Sequence, residues 1–503
     1  MEAKWITSIV ALTIVAAALT SEAGAAPRER VAVLVVPSDA SVLRSPLAAH
    51  GLLVVGQGAR VSRRGALASL LRGKLENSLV GGVPSGKPLI SLARAPAQVS
   101  FYVVLPAPGS HHNVVRYPIA VRGPGYRGIL VSRTTRLPGL LSIADVALSA
   151  RALARGEEPL IRAQADTDPL GRLSRLDGRL AHAHDARIPA TIVLVSLMAV
   201  LGLLALATRA PGLARAALLA APAALVAAVA LSGAGIATPW LAVLVLALSA
   251  GALALAAGLL LPPRLPLALG LGAAFAFLFA VMWAEPPWNI LAIIGPHPDG
   301  GGRFYGITNE VETLLLGPGL VLGALVGAAA LPAVALLLAA GLAASRVGAD
   351  GGGLVVFLAG LLVLGLRLRH ASAARAVAAT AIAAAAALAL VGIDAATGGS
   401  SHVTHAVGGG PGSVAGDLGH RLHLSARSLA SPWQATLFAV GAAALVLLAL
   451  RRSRLPLLDA LLVALAVSLL VNDTPADVVG WGAVSALILW AWSRTGEPLF
   501  GLE

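Results

Sequence analysis

The stretch GPHPDGGGRFYGITNEVETLLL, residues 295–316, lies between two long apolar runs and sets the organisation of the chain. Only 12% of the chain is charged, yet seven charged or strongly polar side chains crowd into this stretch: His297, Asp299, Arg303, Tyr305, Asn309, Glu310 and Glu312. Three consecutive glycines precede the arginine and allow backbone conformations that other residues rarely adopt. Polar groups at the edge of the hydrocarbon are costly and mark functional sites. The stretch therefore predicts a functional loop between membrane spans.

The composition is that of an integral membrane protein. Of the 503 residues 57% are hydrophobic, the mean hydropathy is +0.84, and 12% are charged, whereas soluble proteins carry about 25% charged residues. We attribute the net charge of +13 to arginines that flank membrane spans, and we expect no nucleic-acid partner. The chain has no cysteine, which excludes disulfides, thiolate metal sites and cysteine nucleophiles.

Residues 1–26 have the pattern of a secretory signal. Lys4 supplies the positive start, residues 5–19 are apolar, and residues 23–25 form a small-x-small cleavage site. The alternative is an uncleaved signal anchor. Either reading predicts that the following segment is exported.

Residues 27–187 have mixed polarity and predict a small extracytoplasmic α/β domain. Short β-branched runs bounded by Pro, Gly and Ser predict strands at 31–36, 52–55, 99–105 and 128–131. Residues 144–155 have helical spacing. We interpret the adjacent His111 and His112 as surface residues, and residues 166–185 as a polar surface helix that leads to the membrane.

The remainder, residues 188–503, is predicted to be a multi-span membrane domain. Apolar runs predict about eleven helices, at 188–207, 213–232, 239–261, 265–284, 310–328, 331–345, 352–366, 374–393, 434–450, 456–471 and 477–493. The fold class is thus mainly α, a polytopic helical membrane protein with a small N-terminal exported α/β domain. The short pair at 331–345 and 352–366 is either two spans or one re-entrant hairpin.

The arginine distribution predicts the orientation of the chain. With the N-terminal domain outside, the predicted inner loops carry Arg209, Arg215, Arg264, Arg367, Arg369, Arg375, Arg451, Arg452, Arg454 and Arg494. Such a bias is typical of cytoplasmic loops. It predicts a bacterial cytoplasmic membrane protein whose unusually polar loops all face outward.

Four outer segments carry the candidate chemistry: residues 285–312, 345–353, 394–433 and 472–477. Guanidinium groups hold phosphate bidentately, so we predict that Arg303, Arg421 and Arg427 bind an anionic leaving group. The candidate proton acceptors are Glu310, Asp299 and His402. The other predicted substrate-binding residues are Tyr305, Asn309, Arg346, Asp350, His405, Asn472 and Asp473.

Structural alternatives exist for each group. Arg303 and Glu310 would pair with each other, and Asn309 would cap the helix that begins there. His402 and His405 have the spacing of a metal pair, but no third ligand has a fixed spacing, so we predict no metal site. The helix that carries Arg421 would also suit an interface with anionic headgroups. The sequence identifies no cofactor.

Two resemblances rest on motifs. Residues 123–153, GPGYRGILVSRTTRLPGLLSIADVALSARAL, resemble the closing segment of alkaline-phosphatase-superfamily domains, although the region is too short for that family's metal ligands. RFYGITNE, GADGGG, the loop 401–433 and VNDT resemble a group of bacterial polytopic membrane proteins that carry an alkaline-phosphatase-like exported domain and an R-[FY]-Y-G-x-x-N motif. Their order also loosely resembles O-antigen ligases and polymerases. These resemblances imply a reduced, non-catalytic exported domain and transfer from polyprenyl-linked sugars.

The leading hypothesis is an outer-face envelope enzyme that transfers or polymerises a lipid-linked glycan or phosphate-bearing group. The rivals are a transporter or flippase of an envelope precursor, and a non-catalytic assembly partner. Expected partners are membrane lipids, a polyprenyl-linked substrate, and other envelope proteins that dock on residues 27–187.

Overall fold

The computed structural model describes residues 31–78, 84, 86–236, 238–262, 265–396, 411–451 and 455–497. The signal sequence expected at residues 1–26 lies outside the described residues, as do His402 and His405.

The N-terminal region contains a mixed β-sheet. Its strands are β1 Val31–Val35, β2 Ala49–Val54, β4 Val99–Val103, β6 Tyr117–Arg122, β7 Gly128–Ser132, β8 Leu140–Ser142 and β9 Ile161–Gln164. The order is β1-β4-β6-β2-β7-β9, with β8 also paired to β2. Two further strands, β3 Arg60–Ser62 and β5 Ser110–His112, form a separate antiparallel pair. The four predicted strands coincide with β1, β2, β4 and β7, and the α/β character of the region is confirmed.

Two helices cover this sheet. Helix α1, Arg63–Arg72, begins at Ser62, whose hydroxyl accepts a hydrogen bond from the Gly65 N–H, and ends at a left-handed Gly73. Helix α2, Ala144–Arg155, has the bounds predicted from its spacing. The core between sheet and helices is aliphatic and aromatic, with Phe101 fully buried.

The rest of the described chain is helical. The helices are α3 Pro169–Thr208, α4 Pro211–Gly233, α5 Pro239–Leu260, α6 Leu265–Ala284, α7 Pro286–Ile290, α8 Asn309–Leu325, α9 Gly327–Ala343, α10 Gly351–Leu368, α11 Ala373–Ala396, α12 Pro411–Ser428, α13 Pro432–Ala449, α14 Pro456–Val471 and α15 Pro475–Ser493. Each of the eleven predicted apolar runs overlaps a helix. In the described part of the chain, eight helices are long and apolar enough to cross a membrane: α3 to α6, α10, α11, α13 and α15.

Three of the eleven predicted spans fall in helices shorter than these eight. Helices α8 and α9 have 17 residues and α14 has 16, so the count of eleven spans remains a proposal. Residues 331–345 and 352–366 fall in two separate helices, α9 and α10. Helices α4 and α15 are the most buried of the candidate spans, whereas α11 and α13 lie at the periphery.

The sheet region and the helix bundle are packed directly against each other. Helix α3 is 40 residues long, and the domain boundary placed at residue 187 falls inside it. The polar first half of α3 is the segment predicted to be a surface connector. It instead bonds to both regions: Arg116 Nε of the sheet region lies 2.7 Å from Asp177 Oδ1, and Arg179 donates to the Ser232 carbonyl of the bundle at 2.7 Å. Apolar residues from both regions form one shared cluster that includes Val54, Leu137, Leu140, Leu176, Leu180, Ile290, Leu291 and Phe304.

Candidate functional site

The four segments that were predicted to face outward meet at the end of the helix bundle that contacts the sheet region. The first and second are joined by a hydrogen bond from the Ile307 N–H to the Gly348 carbonyl, at 2.9 Å. The first and fourth are joined by the Asn309 side-chain amide, which donates to Asp473 at 2.9 Å and to Thr474 at 3.1 Å.

The third segment joins the others through both of its described ends. Asp394, near the end of α11, accepts hydrogen bonds from the backbone N–H and the hydroxyl of Ser345 in the second segment. On α12, Arg421 donates to the Val471 carbonyl at 3.0 Å, beside the fourth segment. The sequence could not predict this convergence.

The N-terminus of helix α8 lies in the candidate site, and its N-cap residue differs from the one expected from the sequence. Thr308 is the N-cap, and its hydroxyl accepts from the Val311 N–H at 3.2 Å. The prediction that Asn309 caps this helix is wrong, because Asn309 is already helical and its side chain points to the fourth segment. Glu310 and Glu312 lie in the first turn, where the helix dipole favours negative charge.

Asp299 is the centre of a buried ionic cluster. Arg187 of α3 contacts both of its carboxylate oxygens, at 2.9 and 3.4 Å, and His184 Nδ1 lies 2.7 Å from Oδ2. The Asp299 side chain is 3% exposed. Although burial favours the neutral acid, the Arg187 cation and the hydrogen bonds hold the pKa of Asp299 below its ordinary value. The carboxylate therefore fixes the loop to α3.

His297 and Glu310 form an open pair beside this cluster. The imidazole Nε2 lies 4.0 Å from Glu310 Oε2, which is too long for a hydrogen bond. The Nε2 atom is buried and has no hydrogen-bond partner in the described part of the chain. The other Glu310 oxygen lies 3.4 Å from the Thr191 hydroxyl. The imidazole of His297 and the carboxylate of Glu310 are therefore both available to bind a third chemical group.

Arg303 pairs with Asp350 of the second segment. Its Nη2 lies 3.5 Å from Asp350 Oδ1, so the predicted pair with Glu310 is wrong. Arg303 Nη1 and Asp350 Oδ2 are both buried, and neither has a hydrogen-bond partner among the described residues. The pair is thus only partly satisfied, which is costly for buried charged groups and typical of a site that a ligand completes.

Glu312 is fully buried behind this pair. The Asn472 side-chain amide donates to it at 2.9 Å, and the Ser468 hydroxyl lies 3.5 Å away. Asn472 also donates to the Ser468 hydroxyl at 2.7 Å. This network connects α8 to α14 and gives Asn472 a structural task that its place in the sequence did not indicate.

The remaining predicted binding residues divide into two groups. Tyr305 and Arg346 line a small cleft under the sheet region. On α12, the guanidinium of Arg421 is engaged by a backbone carbonyl, and Arg427 is exposed. The described residues contain no cluster of three or more His, Asp or Glu that could hold a metal ion.

Sequence reasoning missed three site residues on α3. His184, Arg187 and Thr191 reach the loop 297–310 from more than a hundred positions away in the chain. The signal was the accumulation of His and Arg immediately before the first apolar run, which we interpreted as a solvated helix face. A long helix whose charged face contacts a loop has the same sequence pattern as one that faces water.

Protonation of His297 makes the stability of the folded protein depend on pH. Burial of its Nε2 and the nearby Arg187 cation lower the pKa of His297 to about 3, from an ordinary value of 6.5. Below pH 6.5, His297 therefore takes up a proton in the unfolded chain but stays neutral in the folded chain. The free energy of unfolding falls as the pH drops from 6.5 towards 3. The limit is about 1.4 kcal/mol per pH unit, and solvent screening reduces it because 36% of the side chain is exposed.

We therefore expect the wild type to lose more stability between pH 7 and pH 5 than His297→Gln. The measurement is the thermal unfolding midpoint of the full chain in one detergent at both pH values. The control is His182→Gln on the exposed face of α3, which should retain the wild-type pH dependence. Equal pH dependence in wild type and His297→Gln would contradict a neutral His297.

No family model, curated protein or solved structure matches this chain. The fold and the site define it as a mainly helical membrane protein with an N-terminal α/β sheet region docked on a buried polar cluster.

Proposed function

We propose that this chain is an envelope enzyme that transfers or polymerises a lipid-linked glycan or phosphate-bearing group. We place the reaction at the outer face of a bacterial cytoplasmic membrane, with the sheet region outside. One observation carries the proposal: Arg303 Nη1 and His297 Nε2 are buried without partners on one loop, beside Glu310 and Asp350. An unpartnered guanidinium nitrogen and an unpartnered imidazole nitrogen on one loop can supply the anion contact and the proton acceptor that group transfer requires.

The residues take the following roles in the proposed reaction. His297 accepts the proton of the attacking hydroxyl through its Nε2, which is buried and has no hydrogen-bond partner among the described residues. Glu310 Oε2 lies 4.0 Å from the same Nε2, and its negative charge stabilises the imidazolium that forms. The acceptor oxygen bonds to the group in transfer while the bond to the leaving phosphate oxygen breaks.

Arg303 holds the leaving anion in this proposal, and Asp350 orients its guanidinium. Asp299, which the sequence offered as a base, is assigned a positioning role because Arg187 and His184 occupy its oxygens. The outer location is supported by the arginine distribution, because cytoplasmic loops carry an excess of basic residues. Residues 1–26 would direct export, and the alkaline-phosphatase-like region would be non-catalytic.

The test is a profile of lipid-linked intermediates in a deletion strain complemented at matched membrane abundance. Arg303→Ala should lower clearance of the donor at least about 100-fold, because it removes a preorganised anion contact. The matched control is Arg375→Ala, an exposed arginine of α11 outside the four candidate segments, which should clear the donor at the wild-type rate. If all strains have the same profile, the transfer proposal fails.

A second candidate, proton-coupled transport of an envelope precursor, is favoured by one observation. Glu312 is a fully buried carboxyl within the bundle, adjacent to Asp350, and intramembrane carboxyls often serve ion pathways. The leaflet that holds the intermediate distinguishes the two functions. Accumulation in the outer leaflet supports the enzyme, whereas accumulation in the inner leaflet supports the transporter.

The third candidate, an assembly partner that docks other envelope proteins on residues 27–187, predicts a different result. In that case Arg303→Ala would leave the envelope unchanged, and deletion of residues 27–187 would abolish function.

A further inference from the structure

A small cleft separates the sheet region from the helix bundle, away from the His297–Glu310 pair. Arg136 lines it from the sheet side, and Arg346 and Tyr305 line it from the bundle side, with Asn289 at its base. The space between these residues is about 190 Å³, part of which is open solvent, so its enclosed part admits only a small group.

Arg136 enters the cleft in a constrained conformation. Its backbone φ is +55°, a left-handed value that residues other than glycine rarely adopt. Its N–H donates to the Ser132 carbonyl at 3.1 Å. The same loop is anchored to α2, because the hydroxyls of Ser132 and Thr134 donate to the buried carboxylate of Asp145 at 2.7 and 2.9 Å. Strained backbone held by its surroundings is characteristic of functional sites.

The guanidinium of Arg136 lies over the ring of Tyr305, with its central carbon 3.8 Å from the ring centroid. This contact uses the face of the guanidinium and leaves the N–H groups at its edge free to donate. Arg346 is exposed in the loop before α10, and its guanidinium lies 5.8 Å from the ring of Trp283. Trp283 is itself exposed on α6, where tryptophan marks the headgroup level.

Charge in this cleft is unbalanced in favour of the cations. Arg136 and Arg346 repel each other, and burial also disfavours the charged form of Arg136. The nearest carboxylate, Asp394, attracts Arg136 but is already bound by the N–H and hydroxyl of Ser345. Two guanidinium groups that share one small cleft match an oxyanion with more than one charge, and phosphate has that property.

We propose that this cleft is a phosphate-binding site, in which Arg136 and Arg346 hold one phosphate group between the sheet region and the bundle. The phosphate comes from a lipid headgroup or from a free phosphate compound. Phosphate binding here can be measured without catalysis. Its test is therefore independent of the transfer reaction proposed above.

The test is isothermal titration of the full chain, purified in an uncharged detergent. The probes are inorganic phosphate, pyrophosphate and two short-chain lipids, dihexanoylphosphatidylglycerol and dihexanoylphosphatidylcholine, and acetate is titrated as an anion without phosphate. Arg136→Gln and Arg346→Gln should each weaken binding at least tenfold. Arg133→Gln is the matched control, because this exposed arginine lies on the same loop and pairs with Glu158. It should bind as the wild type does.

The probes also separate the two sources of phosphate. Binding of phosphatidylglycerol alone identifies a lipid headgroup, and binding of phosphate or pyrophosphate alone identifies a free compound. Arg346→Lys keeps the charge, so its intermediate affinity would confirm the electrostatic part if a glutamine variant does not fold. The proposal is overturned if no probe binds, if acetate binds as well as phosphate, or if the two arginine variants match the control.

Discussion

Replacing Asp299 with alanine should destabilise the folded protein by about 3 to 5 kcal/mol, the usual cost of removing one partner from a buried ion pair. The side chain is 3% exposed, and its removal leaves Arg187 buried without its counter-ion. Because Arg187 belongs to α3 and Asp299 to the loop before α8, the substitution also disconnects the loop 297–310 from the longest helix. The measurement is the free energy of unfolding of the full chain, from titration with a denaturing detergent.

The control for this variant is Arg175→Met on the same helix. Arg175 pairs with Asp168 at 3.3 Å, and both side chains are more than half exposed. Exposed pairs contribute at most about 1 kcal/mol. The double variant Arg187→Met, Asp299→Leu should recover much of the lost stability, because it removes both charges. An Asp299→Ala variant no less stable than Arg175→Met would contradict the buried cluster.

Gly306→Ala should be similarly destabilising, for a reason that involves no charge. Gly306 has a φ of +84°, and a Cβ added there would lie 2.1 Å from the Gly348 carbonyl oxygen. The left-handed conformation costs roughly 1–2 kcal/mol for other residues, and forced overpacking adds roughly 1–3 kcal/mol. The Ile307 N–H donates to the Gly348 carbonyl at the same place. The added methyl group would therefore separate the first and second candidate segments.

The matched control is Gly302→Ala, in the glycine run of the same loop. A Cβ at Gly302 has open space, and the backbone there has no left-handed φ. Unfolding of both variants in the same detergent titration checks the prediction. Equal stability of Gly306→Ala and Gly302→Ala would show that the close approach to Gly348 is unimportant.

Elements with strong periodicity could be predicted from the sequence. Helix α2 has its predicted bounds, and every predicted apolar run overlaps a helix. Strand β6 was missed because Pro118 interrupts its apolar pattern and proline usually excludes a paired strand. Strands β8 and β9 have 3 and 4 residues, too few to show alternation.

The segments that converge in the structure could be listed from the sequence, but the pairing of their side chains could not. Polar residues marked these segments, because such residues are rare in a chain this apolar. Which residues pair depends on how distant helices pack. The Arg303 pair with Asp350 and the Asp299 pair with Arg187 join positions that no local spacing relates.

The loop that contains Gly300–Gly302 packs on the sheet region, and this has a consequence for biosynthesis. Gly301 is left-handed, and an added Cβ would lie 2.2 Å from the Gly56 carbonyl oxygen, so the loop covers the sheet closely. The ribosome makes that loop more than a hundred residues after β9 is complete. Until then Leu176 and Leu180 of α3 can pack on the apolar patch around Val54, Leu137 and Leu140, but Ile290, Leu291 and Phe304 cannot. We expect the nascent sheet region to need a chaperone during that interval.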